Sequence, residues 1–467
     1  MPATVALAGV APDTEILGVM LPSAPVHHLL FAAGAPDVLV MTSANRSSEP
    51  IAYRDDDALD RLAGIADAWL IGDRPIARRI DDSVVREGPT ILRRARGYAP
   101  GAVARIPSDG PILALGADLK NTVTLVIGGR AYMSQHIGDL EQFEAGRAFR
   151  ETVDDLLRLY AVRPHDGAIV RDAHPATRAT LPGARVVQHH RAHIASVLAE
   201  RGEWSRRVIG LACDGTGYGD DGTIWGGELF VGSVASGFER VGHLRPAVLV
   251  GGDAAAEWPV QAVAGFVNAG DRASDLELAP FDFPGRYAEA RRVRASGTRT
   301  FATTSVGRLF DAAAALVGFT RPVTFEGQAA IWLEERAGRA AGVAPYPFPF
   351  DGCELDYRPL VDAVIRDRRR GRSPDEIARA FHAGLACGLC DAIVALADRH
   401  DVSTVVASGG VLQNALLLAD LRGLLRAASL ELWVNHVVPP NDGGISLGQA
   451  ALAAFGHASV PLAGARD

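Results

Sequence analysis

The feature that most constrains this chain is a repeating order of short apolar runs that end on glycine-rich turns and lead into helix-periodic segments. From Ile112 the order is Leu113-Ala114-Leu115-Gly116, then Thr122-Val123-Thr124-Leu125-Val126-Ile127 and the turn Gly128-Gly129, then a helix-periodic stretch from Leu140 to Tyr160. Short apolar runs bounded by turn residues read as buried strands, and longer 3.6-residue periodicity reads as helix. Gly167 to Val170 and Ala184 to Val187 continue as strands. Further on, Arg308 to Val317 and Ile377 to Leu396 read as helices, Thr404 to Ala407 as a strand, and a helix starts from Gln413. Fifty glycines against 6% aromatic residues in 467 suit tight strand-to-helix turns. The pattern predicts an α/β fold with two lobes facing a cleft.

Residues 1–100 differ in texture. Ala35-Pro36-Asp37 leads into an expected strand Val38 to Met41, which feeds Thr42-Ser43-Ala44-Asn45. A helix is expected from Asp56 to Ile65, with strands at Ala68 to Ile71, Ser83 to Arg86 and Ile91 to Arg96. The Gly-, Pro- and Ala-rich stretch 97–111 reads as a linker, so the expected organisation is a first domain at 1–100, a linker at 101–111, a main domain at 112–455 and a tail at 456–467.

A net charge of −8 without a long basic run argues against nucleic acid as partner. The cluster Arg366 to Arg372 precedes Ser373-Pro374-Asp375-Glu376, a helix-start signature, and is expected in a solvated loop. Four cysteines, at 213, 353, 387 and 390, make no disulfide framework and fit a reducing compartment. Cys387 and Cys390 lie in an apolar helical run and are expected to pack there. No apolar stretch is expected to span a membrane and the N-terminus has no basic-then-apolar leader, so a cytoplasmic location is expected.

Chemistry concentrates in a few segments. His189 and His193, in Gln188-His189-His190-Arg191-Ala192-His193, share one helix face a turn apart, directly after a strand. Two acidic turns, Asp214-Gly215-Thr216-Gly217 and Asn441-Asp442-Gly443-Gly444, each follow an apolar run. Two His and two Asp suit Zn²⁺ or Fe²⁺ with a position left for substrate; singly, the HxxxH reads more readily as a surface or satisfied pair and either turn as a structural loop. Asp214 to Gly217 and Ser408-Gly409-Gly410-Val411-Leu412-Gln413-Asn414 also present backbone N–H groups where an anion can sit, though neither is a P-loop.

Several longer motifs, in order along residues 15–455, carry a resemblance. They are Leu115-Gly116-Ala117-Asp118-Leu119-Lys120-Asn121-Thr122, Ser134-Gln135-His136-Ile137-Gly138-Asp139-Leu140, the Gln188 to His193 run, Asp214 to Gly219 and Thr223-Ile224-Trp225-Gly226-Gly227-Glu228. With them go Phe325-Glu326-Gly327-Gln328-Ala329-Ala330 and Pro440 to Gln449. Together they resemble the HypF family of hydrogenase-maturation carbamoyltransferases. The resemblance implies a two-lobed fold like that of actin, heat-shock chaperones and sugar kinases at 112–455, shared with tRNA threonylcarbamoyl transferases and antibiotic O-carbamoyltransferases. It implies the tail of a YrdC-like adenylate-forming domain at 1–100.

The resemblance further implies a divalent metal, Fe or Zn, on His189, His193, Asp214 and Asp442. Asp214, Lys120 and His136 are implied as catalytic. Ser43, Asn45, Arg94, Gly215, Thr216, Gly217, Gly227, Glu326, Gly409, Gly410 and Asn414 are implied to bind ATP or carbamoyl-adenylate. Relatives carry further modules ahead of this start, including the Lys/Arg half of the adenylating site, so the chain alone is expected not to make the adenylate. It also reads Glu257-Trp258-Pro259-Val260 where the family has Glu-Pro-Trp-Arg, and Ile80 where Cys is common. The implied reaction passes a carbamoyl group, derived from carbamoyl phosphate, from the adenylate to the C-terminal cysteine thiol of a HypE-like partner, on the way to the cyanide ligands of hydrogenase iron. The rivals are a carbamoyl or threonylcarbamoyl transferase for another acceptor, and a nucleotide-binding relative without the adenylation step.

Overall fold

A computed structural model describes residues 9–460 apart from 48, 89, 253, 268–275, 277 and 278; the end of the expected tail, 461–467, lies outside the described residues. The chain divides into two units, Met1–Arg46 with Ile51–Arg79, and Ser47–Pro50 with Ile80–Asp467. In the first unit, α1 (Pro25–Ala32) and α2 (Asp55–Arg61) are the regular elements. Asp55, Asp56 and Asp57 open α2, where carboxylates complement the partial positive charge of a helix start. The strands expected at 38–41 and 68–71 do not form. A strand is stabilised through a neighbour across the ladder, and among the described residues of this unit there is none to pair with. Val38 and Leu70 are accordingly 76% and 79% exposed.

The second unit opens with an antiparallel hairpin, β1 (Val84–Arg86) and β2 (Thr90–Arg93). The stretch expected as linker carries β3 (Ala102–Arg105), which buries Val103 and edges a six-stranded sheet. That sheet contains β4 (Ile112–Ala114), β5 (Thr124–Ile127), β6 (Arg130–Met133), β7 (Ala168–Asp172) and β8 (Arg185–Val187) in the order β3-β6-β5-β4-β7-β8. β4, β5 and β6 make an antiparallel meander; β7 and β8 add parallel to β4. The connection into β7 runs through α3 (Phe143–Leu159), which buries Ala145, Phe149, Val153 and Leu156 along one stripe.

The same plan recurs in the second sheet. β9 (Val208–Tyr218), β10 (Ile224–Ser233) and β11 (Gly237–Leu244) form the meander. β12 (Ala247–Val250) and β13 (Thr300–Thr303) extend one edge, and β14 (Glu354–Leu355) pairs with β11. β15 (Thr404–Ser408) and β16 (Glu431–Trp433) add parallel beside β9. This duplication is the two-lobed α/β architecture that the sequence pattern predicts.

α4 (His189–Arg201) follows β8. Helices α5 (Ala254–Glu257), α6 (Pro259–Phe266), α7 (Gly285–Ser296), α8 (Val306–Val317), α9 (Gln328–Gly338), α10 (Arg358–Arg369), α11 (Pro374–His400) and α12 (Ala415–Ala427) follow, most of them packing into the core of the second lobe. Arg366, Arg368 and Arg369 sit in the last turn of α10 and not in a loop, where cations suit the helix C-terminus. α11, capped by Ser373, is long and apolar enough to cross a membrane, contrary to expectation, with 72% of its most apolar window buried inside the fold. Cys387 and Cys390 are free thiols within it. The last helix, α13 (Ile445–Ala454), packs beside α4 in a core shared by both sheets, with Val126 and Val170 of the first and Val208, Phe230 and Val406 of the second.

Candidate metal centre and its cleft

Val187 ends β8 and Gln188 turns the chain into α4, accepting from Arg191 N through its side chain at 2.9 Å. The first turn of α4 therefore starts at His189, and His193 follows one turn later with the two rings edge-on and their centroids 5.0 Å apart. From the second sheet, β9 delivers Asp214. From the far end of the chain, a 3₁₀ turn at Asp442–Gly444 delivers Asp442 just before α13. All four residues are buried and their ligand atoms lie within 4.8 Å of one another.

The separations test whether a metal fits. His189 Nε2 and His193 Nε2 lie 3.2 and 3.1 Å from Asp214 Oδ2, and 3.8 and 3.6 Å from Asp442 Oδ1. Tetrahedral ligands about 2.1 Å from a central Zn²⁺ stand about 3.4 Å apart, so these atoms already span a cation's coordination shell. Burial opposes protonation of His189, yet Asp172, Asp214 and Asp442 together raise its pKa well above the usual histidine range. Burial likewise opposes ionisation of Asp214, and the two histidines hold its pKa well below the carboxylate range. The pocket is thus arranged around positive charge. The ligands draw on both lobes: Asp214 belongs to β9 of the second sheet, while the Asp442 turn is bonded to the first lobe by Thr122 Oγ1 donating to Gly443 O at 3.0 Å and to the second by Gly409 N donating to Pro440 O at 2.9 Å.

Supports around the four residues were not legible in the sequence. Asp172 at the end of β7 places Oδ2 2.7 Å from His189 Nδ1, fixing which nitrogen faces the centre. The only signal is an acidic residue at the carboxyl end of an apolar strand. Asp214 Oδ1, turned away from the histidines, accepts from Gly215 N at 2.8 Å and from Gly410 N at 3.0 Å. The Gly409-Gly410 turn therefore holds a carboxylate. Gly217 must be glycine, since a Cβ there would lie 2.5 Å from His190 Cε1.

The remaining expected site residues fall in different places. Lys120 lies in the cleft with φ 46°, its N bonded to Asp139 Oδ1 at 2.9 Å and its ammonium paired across the cleft with Glu326. Burial works against that charge, but Glu326 and Asp442 hold its pKa above the ordinary lysine value. His136 is pushed down to about 3 by burial and by Arg93 and Lys120, so it is a neutral imidazole. Thr216 is exposed beside the centre. Gly227 N donates to the buried Glu228 at 3.3 Å, and Glu228 also pairs with Arg240 at 2.6 Å.

Arg94 is 3% exposed and spends its guanidinium on the carbonyls of Met133, Tyr98 and Gly101. Asn414 caps α12 through Leu417 N at 2.8 Å and bonds His382 through its amide nitrogen at 3.1 Å. Ser43 and Asn45 belong to the first unit, where the Ser43 hydroxyl donates to the Asn45 side chain.

Residues 210–449 match the family described as "Carbamoyltransferase, Kae1-like Domain, second subdomain", 107–200 match "HypF Kae1-like domain", and 3–95 match a family described as "Telomere recombination". "Carbamoyltransferase HypF2" of Cupriavidus necator is 40% identical over 504 aligned residues, covering 96% of this chain and 61% of the relative. "Carbamoyltransferase HypF" of Rhodobacter capsulatus is 39% identical, covering 95% and 60%. The chain thus spans about three fifths of these curated relatives' length. A solved structure, "Crystal structure of full-length HypF in the phosphate- and nucleotide-bound form", superposes with a TM-score of 0.87 at 35% identity, covering 96% of this chain and 72% of that one. The duplicated lobes, the residues converging between them and these matches agree, and the chain belongs to the HypF carbamoyltransferase family.

Proposed function

We propose that this chain transfers a carbamoyl group from carbamoyl-adenylate to the C-terminal cysteine thiol of a HypE-like partner, a step in supplying the cyanide ligands of [NiFe] hydrogenase. The observation that carries this reading is the buried His189, His193, Asp214 and Asp442 set, framed by two glycine turns in a member of the HypF family. A solved relative described as phosphate- and nucleotide-bound supports nucleotide binding by this family member. Residues 1–100 act as a partial YrdC-like domain and 112–455 as the transferase.

The thiolate attacks the carbamoyl carbon, a C–S bond forms, and the C–O bond to the phosphate breaks with its electron pair leaving on AMP. His189, His193, Asp214 and Asp442 would hold a divalent metal, which when bound would supply Lewis-acid stabilisation of developing oxyanion charge. Lys120, kept charged by Glu326, offsets negative charge on the leaving phosphate. His136 is too weakly basic to keep the thiol proton at neutral pH, so the proton leaves to water and the neutral imidazole offers a hydrogen bond to the substrate. In the transferase unit the turn at 215–217 serves the nucleotide, and Ser43 and Asn45 are assigned to nucleotide binding within the first unit on its own.

The test is to supply carbamoyl-adenylate and a peptide ending in cysteine, and to follow thiocarboxamide formation by mass. Cysteine-specific transfer is expected. Transfer to tRNA or a polyol hydroxyl instead would move the chain to another acceptor class. Nucleotide binding without any transfer would make it a binding relative.

A further inference from the structure

The start of α8 lies against the Asp214-Gly215 turn so closely that Gly307 has no room for a side chain. A Cβ on Gly307 would lie 2.7 Å from Gly215 Cα. Ser305 fastens the contact, its hydroxyl reaching the carbonyls of Asp214 and Gly215 at 3.0 and 2.5 Å while accepting from Arg308 N at 3.1 Å. The next side chain along, Arg308, is thereby set beside the open face of Gly215. A side chain at position 215 would begin 3.7 Å from Arg308 Nη2.

Arg308 is 8% exposed. Its Nη2 pairs with Asp311 Oδ2 at 3.1 Å, but its Nε and Nη1 are buried without a hydrogen-bond partner among the described residues. Burial pushes Asp311 up to about 6, so at neutral pH it is still mostly carboxylate and engages the guanidinium through Nη2 alone. A guanidinium cannot shed its proton, and idle buried donors on a charged group are costly. The planar fork matches an oxyanion in two parallel bonds when Nη1 acts together with Nη2.

We propose that Arg308 binds an oxyanion of the substrate on the Gly215 face of the site, its idle Nη1 and one N–H of Nη2 turning to the ligand while the other N–H of Nη2 stays with Asp311. The inference rests on the transfer reading above, under which the oxyanion is either the nucleotide phosphoryl group or the terminal carboxylate of the acceptor peptide.

Equilibrium binding of AMP and adenosine, and KM for peptides ending in a free acid or an amide, are compared between the wild type, Arg308→Lys and Arg308→Gln. For the phosphoryl source, the variants lose about tenfold or more in AMP affinity and little for adenosine. For the carboxylate source, they lose the preference for the free acid by a similar factor. Both preferences intact in folded variants would overturn the proposal. A wild-type measurement needs no variant to fold: phenylglyoxal modification of Arg308, followed by peptide mass mapping, should slow about tenfold with AMP or with the free-acid peptide. Protection by neither overturns the inference. Protection without any carbamoyl transfer would sink the transfer reading and leave the oxyanion site standing.

Discussion

Replacing Asp172 should weaken metal binding without removing a ligand. Asp172 Oδ2 lies 2.7 Å from His189 Nδ1 and both residues are under 5% exposed, so this is a charge-assisted contact shielded from water. In Asp172→Asn an acceptor remains but the charge is gone, and a loss of about tenfold in affinity is expected. In Asp172→Ala the Nδ1–H is left buried and unpaired, a cost of about 1–3 kcal/mol, and the ring is free to turn away from the centre. The expected loss is then up to about a hundredfold, the upper range for such supporting residues. Competition with a chromophoric chelator, using Zn²⁺ or Fe²⁺ on the purified chain, measures both affinities. Equal affinity for wild type and Asp172→Ala would refute the supporting role, and metal content unchanged on removing His189 and His193 together would refute the centre itself.

Three further outcomes are expected. Asp442→Ala should lower kcat for carbamoyl transfer by about 10² while nucleotide affinity changes little, because the lost term acts on charge formed in the transition state; a change in KM alone would count against this. Lys120→Met should lower kcat similarly, with partial recovery in Lys120→Arg, whereas Glu326→Gln should have a smaller effect because the exposed partner only tunes the ammonium; single-turnover measurements separate the two. His382 is pushed down to about 4 by burial, with Nδ1 bonded to Ala378 O and Nε2 facing the Asn414 amide. Between pH 6.5 and 4 the unfolded chain binds the proton that the native chain refuses, so stability falls as pH falls through this window, by about 3 kcal/mol in all. Urea melts of wild type and His382→Asn across this range should show a shallower pH dependence in the variant.

What the sequence makes legible follows from which signals are local. His189 and His193 stand out because a four-residue spacing after a strand has one geometric meaning, and Asp214 and Asp442 because each ends an apolar run at glycines. The duplicated strand order is legible for the same reason. Asp172 is not, since one aspartate at a strand end has no period to read. The bond from Gly410 to Asp214 joins residues distant in sequence, and only the β9–β15 pairing reveals that the turn serves a carboxylate. Arg94 lies in a basic run that suits phosphate, but folding encloses it among three carbonyls. The strands expected at 38–41 and 68–71 had the right apolar content, and content alone does not supply a ladder partner.

The route of the chain through the metal centre also sets a timetable. The histidines and their Asp172 support lie early, Asp214 follows β9's emergence, and Asp442 appears only just before the final helix. At synthesis rates of about 5–20 residues per second, the fourth ligand trails the histidines by on the order of ten to fifty seconds. A nascent chain therefore carries three of the four ligands, His189, His193 and Asp214, through that interval, and the centre is complete only once Asp442 has emerged. Metal starvation should then leave apo chains that extend past Asp442, identifiable by raised protease sensitivity where α13 meets α4, in place of prematurely stalled fragments.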